Sequence, residues 1–284
     1  MRRGTKKLTL ISLIIFALLG LQAYKNKKLL DKNEKNPTVQ TFQAQSNGPQ
    51  TLGKSPYDYT LWYQGGVKHT LSWYGASQRG GAAFKATWSD SDDFLARVGY
   101  SWTNAGEDIK NIGNISCQFS YKKSGEGTAG NYNYIGIYGW IRNETATDPN
   151  EKLVEYYIVD DWFGNGGQSE KTPITTATTQ GNVLGTYQLD GATYQVIKNV
   201  REDQPSIDGN QTFTQYFAIR QSPRQKGTIS ISEHFAQWQK MGLAIGKVTE
   251  SSFLVESSGE SGWLDCTYLK FYYRSSPLIK KYKK

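Results

Sequence analysis

Residues 153–160 read LVEYYIVD. Side chains along a β-strand point alternately to opposite faces, so Leu153, Glu155, Tyr157 and Val159 share one side and Val154, Tyr156, Ile158 and Asp160 the other. Whichever side is covered, a carboxylate lies among apolar and aromatic side chains in mid-strand, a costly place for a charge unless it is paired. A structural ion pair is one reading of Glu155. A second glutamate in a similar setting, Glu256, opens another, because two carboxylates converging on one groove is the arrangement that cleaves glycosidic bonds.

The texture of this strand extends in both directions. From Tyr57 onward, short aromatic alternating runs are broken by Gly, Asn and Asp: FKATW at 84–88, ISCQFSY at 115–121, YNYIGIYGW at 132–140, GTYQLDGATYQVI at 185–197 and TFTQYFAIR at 212–220. Evenly spaced strands with polar turns predict an all-β sandwich or barrel. In YNYIGIYGW, Tyr132, Tyr134, Gly136, Tyr138 and Trp140 share one face while Ile135 and Ile137 take the other. Such a sheet packs a core behind and presents rings in front. Only Ser230–Met241 has a helical period, with Phe235 and Trp238 on one face, Gly242 as a stop, and Ser230 with Glu233 spaced for a capping box. The helix is expected to brace the outside of the sandwich.

The net charge of +8 would suggest an anionic partner if it were evenly spread. It is not: residues 1–50 carry +7 and residues 275–284 carry +4, which leaves −3 for residues 51–274. Nucleic acid is therefore excluded as an expected partner. The chain has 19 Tyr and 8 Trp against 11 Phe, a bias toward flat rings with a polar edge that suits sugar faces as well as ordinary strands. His69 and His234 are the only histidines, and with no Cys/His/Asp cluster around them they are read as structural, with no metal site and no cofactor. Cys117 and Cys266 are too few for a disulfide framework; one bridge or none are both open.

Arg2, Arg3, Lys6 and Lys7 precede an uncharged apolar run from Leu8 to Ala23. Residues 1–24 are read as a secretory signal; the lack of an A-x-A site and the lysines at 25, 27 and 28 keep an uncleaved, membrane-attached anchor open. Residues 25–56 are polar and aperiodic and read as a disordered linker, residues 57–274 as one domain, and 275–284 as a basic tail. A secreted monomer is the expectation.

At this point the residues resemble a known family. YGWIRNETATDPNEKLVEYYIVDDW is similar to the block around the nucleophile in family 11 glycoside hydrolases, the small jelly-roll endo-1,4-β-xylanases, with ETATD as an insertion before Pro149. The similarity continues through GTYQLDGATYQVI, the stretch from Arg201 to Ile229, and the helix with HFAQW. It implies a β-jelly-roll sandwich of two twisted antiparallel sheets with one α-helix and a substrate cleft, and xylan or a related plant cell-wall polysaccharide as partner. It also implies Glu155 as nucleophile and Glu256 as acid/base of a retaining reaction. Asp93 falls at the position that hydrogen-bonds the acid/base, where aspartate accompanies an acidic working pH; Asp92 is one residue away. Trp62, Tyr138, Tyr157 and Gln215 match groove residues, and Arg201, Pro205, Ser206 and Ile207 match a hairpin thumb over the cleft. Each also has a plain reading as core, surface charge or turn former.

The chain departs from that family in places. It reads ESSGESG where EGYQSSG is usual, so Ser257, Ser258 and Gly259 stand in for Gly, Tyr and Gln. Tyr100 and Phe217 occupy positions where tryptophan is commoner, and Arg97 replaces a small residue. A noncatalytic glycan-binding jelly roll and a β-glucanase of similar fold remain the alternatives.

Overall fold

The computed structural model describes residues 40–43, 50–51, 57–125, 133–164, 181–258 and 261–273. The apolar N-terminal run, the basic tail, Tyr132 and Gly259 lie outside the described residues. The strands are β1 (Gln40–Gln43), β2 (Gln50–Thr51), β3 (Asp58–Trp73), β4 (Phe84–Ser101) and β5 (Glu107–Asp108). They continue as β6 (Ser116–Gly125), β7 (Asn133–Arg142), β8 (Leu153–Asp161), β9 (Asn182–Leu189) and β10 (Ala192–Ser206). The last are β11 (Gly209–Arg220), β12 (Lys226–Ile229), β13 (Lys247–Val248), β14 (Glu250–Ser257) and β15 (Gly262–Tyr272). Within the stretch read as a linker, β1 and β2 pair with β3, whose outer edge offers unpaired backbone groups as a template. The rest of residues 25–56 lies outside the described residues.

The fold is the all-β sandwich the alternation predicts, and its hydrogen-bond ladder is continuous, in the order β12-β6-β15-β4-β14-β7-β8-β11-β10-β9. The long strand β4 connects the two layers. Its first half, Lys85–Trp88, pairs with β15, and its second half, Phe94–Ser101, pairs with β14. Between them Asp90 has φ +52°, and the register against β3 shifts at Gly65 and again before Lys68. An irregularity shared by two neighbouring strands bends both, so the sheet folds back over itself. Phe119 of β6 then meets Phe253 of β14 at 5.2 Å between ring centroids, although the strands are not neighbours in the ladder. One neighbouring pair, β8 with β11, runs parallel.

Both sides of the inner layer are covered by apolar groups, which is why β8 is buried along its whole length. Val154, Tyr156 and Ile158 join the main core with Ile135, Ile137 and Ile141 of β7. Leu153, Tyr157 and Val159 join a second cluster with Tyr134, Tyr138 and Trp140 on the opposite, concave face. Gly136 sits at the shift in register between β7 and β8, where an added Cβ would collide with the Ile158 carbonyl. The helix Ile231–Lys240 closes the core side, with Phe235 5.1 Å from Tyr156 and Trp238 6.0 Å from Tyr216.

The capping box expected at Ser230 does not form; the Ser230 hydroxyl donates to Asp190 at 2.7 Å, and its backbone N–H donates to the same carboxylate at 2.8 Å. Asp190 and Gly191 have φ of +48° and +75° in a two-residue hairpin turn, and that turn brings the Asp190 carboxylate to the start of the helix, where it takes both Ser230 groups that a capping box would use. His234 is buried between Tyr187 at 2.6 Å and Asp190 at 3.3 Å, and His69 stacks on Tyr63 and bonds Ser91 at 2.6 Å, so both histidines hold structure. Cys117 and Cys266 are buried free thiols. Burial raises the Asp190 carboxyl, but bonds from His234 and Ser230 outweigh it and hold the group below the usual carboxylate range. A group so held stabilises the fold above its unfolded value and loses that contribution as pH falls through its folded one. Asp190→Asn is expected to cost about 1–2 kcal/mol at neutral pH in urea unfolding. The deficit should shrink in acid, and an equal deficit at pH 3 and pH 7 would refute this account.

Candidate active site

The concave face of the inner layer carries the candidate residues because strand alternation puts every second side chain there. Glu155 on β8 lies beside Gln215 on β11, and Gln215 beside Asn199 on β10. Gln215 Nε2 donates to Glu155 Oε2 at 2.6 Å, and Asn199 Nδ2 donates to Gln215 Oε1 at 2.9 Å, which fixes the amide's orientation. The other carboxylate oxygen accepts from the Tyr138 hydroxyl at 2.8 Å, and Trp140 Nε1 donates to that hydroxyl at 2.7 Å. With its oxygen already accepting, Tyr138 directs its proton to Glu155.

Glu256 on β14 faces the same trough with 4% of its surface exposed, against 8% for Glu155. The Tyr157 hydroxyl lies close enough to both carboxyls to lower each of them. The two environments differ. Burial raises Glu155, yet bonds from Gln215 and Tyr138, the Arg201 charge and Tyr157 oppose the rise. Burial raises Glu256 well above the usual range, Asp93 and Glu155 add to it, and Oε2 is buried with no partner among the described residues. Both carboxyls are raised, Glu256 further than Glu155, so of the two Glu155 is the first to ionise.

Asp93 of β4 is pushed up to about 7, chiefly by burial and then by the negative charge of Glu155, with Arg201 pulling the other way. Its neighbour Asp92 is exposed, so of the two it is Asp93 that meets the carboxyls. Trp62, paired across from Leu95, is half-buried at the edge of the aromatic cluster. Arg201 acts electrostatically on Glu155, Glu256 and Asp93 and donates to Gln204 at 3.0 Å. Pro205, Ser206 and Ile207 are the tip of the β10–β11 hairpin; Ser206 Oγ donates to the Gly209 carbonyl at 2.6 Å and Ile207 is 41% exposed. The tip is secured by a bidentate pair between Arg142 of β7 and Asp208, at 2.6 and 2.7 Å.

Several groups here were not singled out in the sequence. Asn199 shares alternation with Ile197 and Arg201, and Trp140 with Tyr138, so period alone places them on the right face without indicating a bond. The Arg142–Asp208 pair spans 66 residues and has no local signature. Of the residues that depart from the family, Ser258 donates to the Asp92 carbonyl, tying the end of β14 to the bend in β4, while Phe217 stacks on Tyr157 at 4.7 Å.

Paired buried carboxyls in a trough of tyrosine and tryptophan are the arrangement that acid-assisted cleavage of a glycosidic bond calls for. The comparisons agree in class. Residues 54–267 match the model of glycosyl hydrolases family 11, and the chain belongs to that family. It is 42% identical over 240 residues to endo-1,4-beta-xylanase C of Fibrobacter succinogenes, covering 84% of this chain and 35% of that protein. It is 42% identical to endo-1,4-beta-xylanase S20 of Neocallimastix patriciarum, covering 75% of this chain and 57% of that protein. The chain thus spans well under two thirds of these curated relatives. A crystal structure of ENZbleach xylanase wild type superposes with a TM-score of 0.77 at 48% identity, covering 86% of this chain and 92% of that one.

Removing the Tyr138 hydroxyl deprives Glu155 of one donor and Trp140 of its acceptor. Tyr138→Phe should raise the Glu155 pKa, read by carboxyl carbon NMR titration, and lower stability by about 1–2 kcal/mol. An unmoved Glu155 titration would remove Tyr138 from the account.

Proposed function

We propose that the protein is an endo-1,4-β-xylanase that hydrolyses internal xylosidic bonds with retention of configuration. The observation that carries this reading is a pair of buried carboxyls on one face that differ in partners: Glu155 accepts from Tyr138 and Gln215, while Glu256 has an oxygen with no partner among the described residues and feels the Glu155 charge. Retaining chemistry needs carboxyls about 5–5.5 Å apart, whereas an inverting pair leaves roughly 6.5–9.5 Å for a water between them. Ionised Glu155 attacks the anomeric carbon as the glycosidic C–O bond breaks, and Glu256 gives its proton to the departing oxygen. The Glu256 carboxylate then takes a proton from water as that water attacks the same carbon and releases Glu155. Trp62 offers a ring for a sugar face, Tyr138, Tyr157 and Gln215 offer groups to hydroxyls, and Arg201, Pro205, Ser206 and Ile207 form the thumb at the cleft's margin.

The family's xylanase relatives and the trough of rings favour xylan over β-glucan as the substrate. A binding module has no need of two buried carboxyls at such cost. Reducing ends should appear from xylan and not from mixed-linkage β-glucan. Glu155→Gln should reduce that release by roughly four orders of magnitude. Xylan binding without release by the wild type would defeat the enzyme reading.

Asp93 and Glu256 titrate as a pair, and the working form carries protons on both. Burial pushes the Asp93 carboxyl up to about 7, so the doubly protonated form persists through the acidic range. Activity should therefore decline as pH rises through about 7, where Asp93 loses its proton. In Asp93→Asn the amide donates at every pH, so the alkaline limb should move upward; an optimum that stays put or moves down would contradict the pairing.

A further inference from the structure

Arg97 is a permanent cation on the concave face of the sheet, inside the trough. It stands across β4 from Leu254, and Leu254 stands across β14 from Gly136. Its side chain is 16% exposed. Its Nε lies 2.8 Å from a carboxylate oxygen of Glu250, which is itself 12% exposed. The Nε–H is not aimed at that carboxylate and has no other acceptor among the described residues, so the two groups form an ion pair by proximity without a directed bond. Ser252 Oγ donates to the same Glu250 oxygen at 2.7 Å, fixing the acid in place. The guanidinium carbon sits 4.7 Å from the centroid of the Tyr138 ring. A cation over a phenol face draws electron density from the ring and makes its hydroxyl a stronger donor.

We infer that Arg97, anchored by Glu250, is a positioning residue that acts through the face of Tyr138 on the carboxylate of Glu155. The line runs from Glu250 to Arg97 at 2.8 Å, to the Tyr138 ring at 4.7 Å, and from the Tyr138 hydroxyl to Glu155 at 2.8 Å. Trp140 holds the hydroxyl from the other side at 2.7 Å, so the ring is fixed at its face by a charge and at its edge by a bond. The Tyr138 hydroxyl is raised by burial and by Glu155, and Arg97 opposes that rise, in the direction of a stronger donor. Arg97 is also influenced by the Glu155 charge, so the guanidinium favours the ionised nucleophile. The other charged or titratable groups facing Glu155 are Tyr157 on its own strand, Arg201 of β10, Glu256 of β14 and Asp93 of β4.

This inference rests on the proposal that Glu155 is the nucleophile. The test therefore begins by trapping the wild type with a 2-fluoro xylobioside bearing an activated leaving group and locating the label by peptide mass. A label on a residue other than Glu155 defeats the nucleophile assignment itself, whatever Arg97 does. With Glu155 labelled, Arg97→Met and Arg97→Lys are compared with the wild type on xylan across pH. The methionine variant should lose roughly three- to thirtyfold in kcat with KM little changed, the rate equivalent of one cation–π contact. Its acidic limb should move to higher pH, because removing a nearby cation makes Glu155 harder to ionise. The lysine variant, which keeps the charge, should recover part of both effects. A rise in KM at constant kcat would make Arg97 a substrate contact, and a fall in melting temperature with an unmoved pH limb would make it structural; either result overturns the inference.

Discussion

Everything at the site depends on how the desolvation of Glu155 is offset. A carboxylate with 8% of its surface exposed, on a strand buried on both faces, is disfavoured as an anion by its location alone. Donors from neighbouring strands counter that penalty, Tyr138 from β7 and Gln215 from β11. Both are held by a further partner, Trp140 and Asn199, so the donors arrive already oriented and little reorganisation remains for the reaction. Glu256, equally buried but poorer in donors, keeps its proton by the same physics.

That contrast exists only because the sheet bends. Were β4 straight, it could not pair with β15 along one half and β14 along the other, and the concave face would lie open. The bend encloses the core on one side and shelters the trough on the other. Aromatic packing then fills both faces: Tyr156 and Tyr216 meet the helix behind, while Tyr157 and Phe217 stack in front at 4.7 Å. The low polarity this creates magnifies each charge placed in it, so Arg97, Arg201, Asp93 and Glu250 matter to the carboxyls beyond direct contact.

Ion pairs in this protein divide by location. Asp160, on the core face of β8, is buried and met by Arg224 at 2.6 Å and the Tyr194 hydroxyl at 2.5 Å, an arrangement that secures the strand from behind. The Arg142–Asp208 pair, more exposed, holds the β10–β11 hairpin to the end of β7. The first is costly to break because one buried charge would be left alone; the second is worth less and suits a segment at a cleft's margin.

The sequence by itself determined the period, and with it the faces. Alternation in LVEYYIVD and YNYIGIYGW assigns Glu155, Tyr157, Tyr138 and Trp140 to one side and the isoleucines to the other, because side-chain direction in a strand is a local consequence of backbone geometry. The helix Ile231–Lys240 and its glycine stop were legible from an equally local period, while the short helix Ile109–Ile112 was not. Tertiary structure decided what no local rule contains: Glu256 opposite Glu155 across 101 positions of chain, Asp93 rather than Asp92 against them, Arg97 over Tyr138, and Asp190 displacing Glu233 at the helix start. Those meetings follow from strand order and from the bend in β4. Order and bend are set by the packing of the whole core, so they cannot be read from any one stretch of residues.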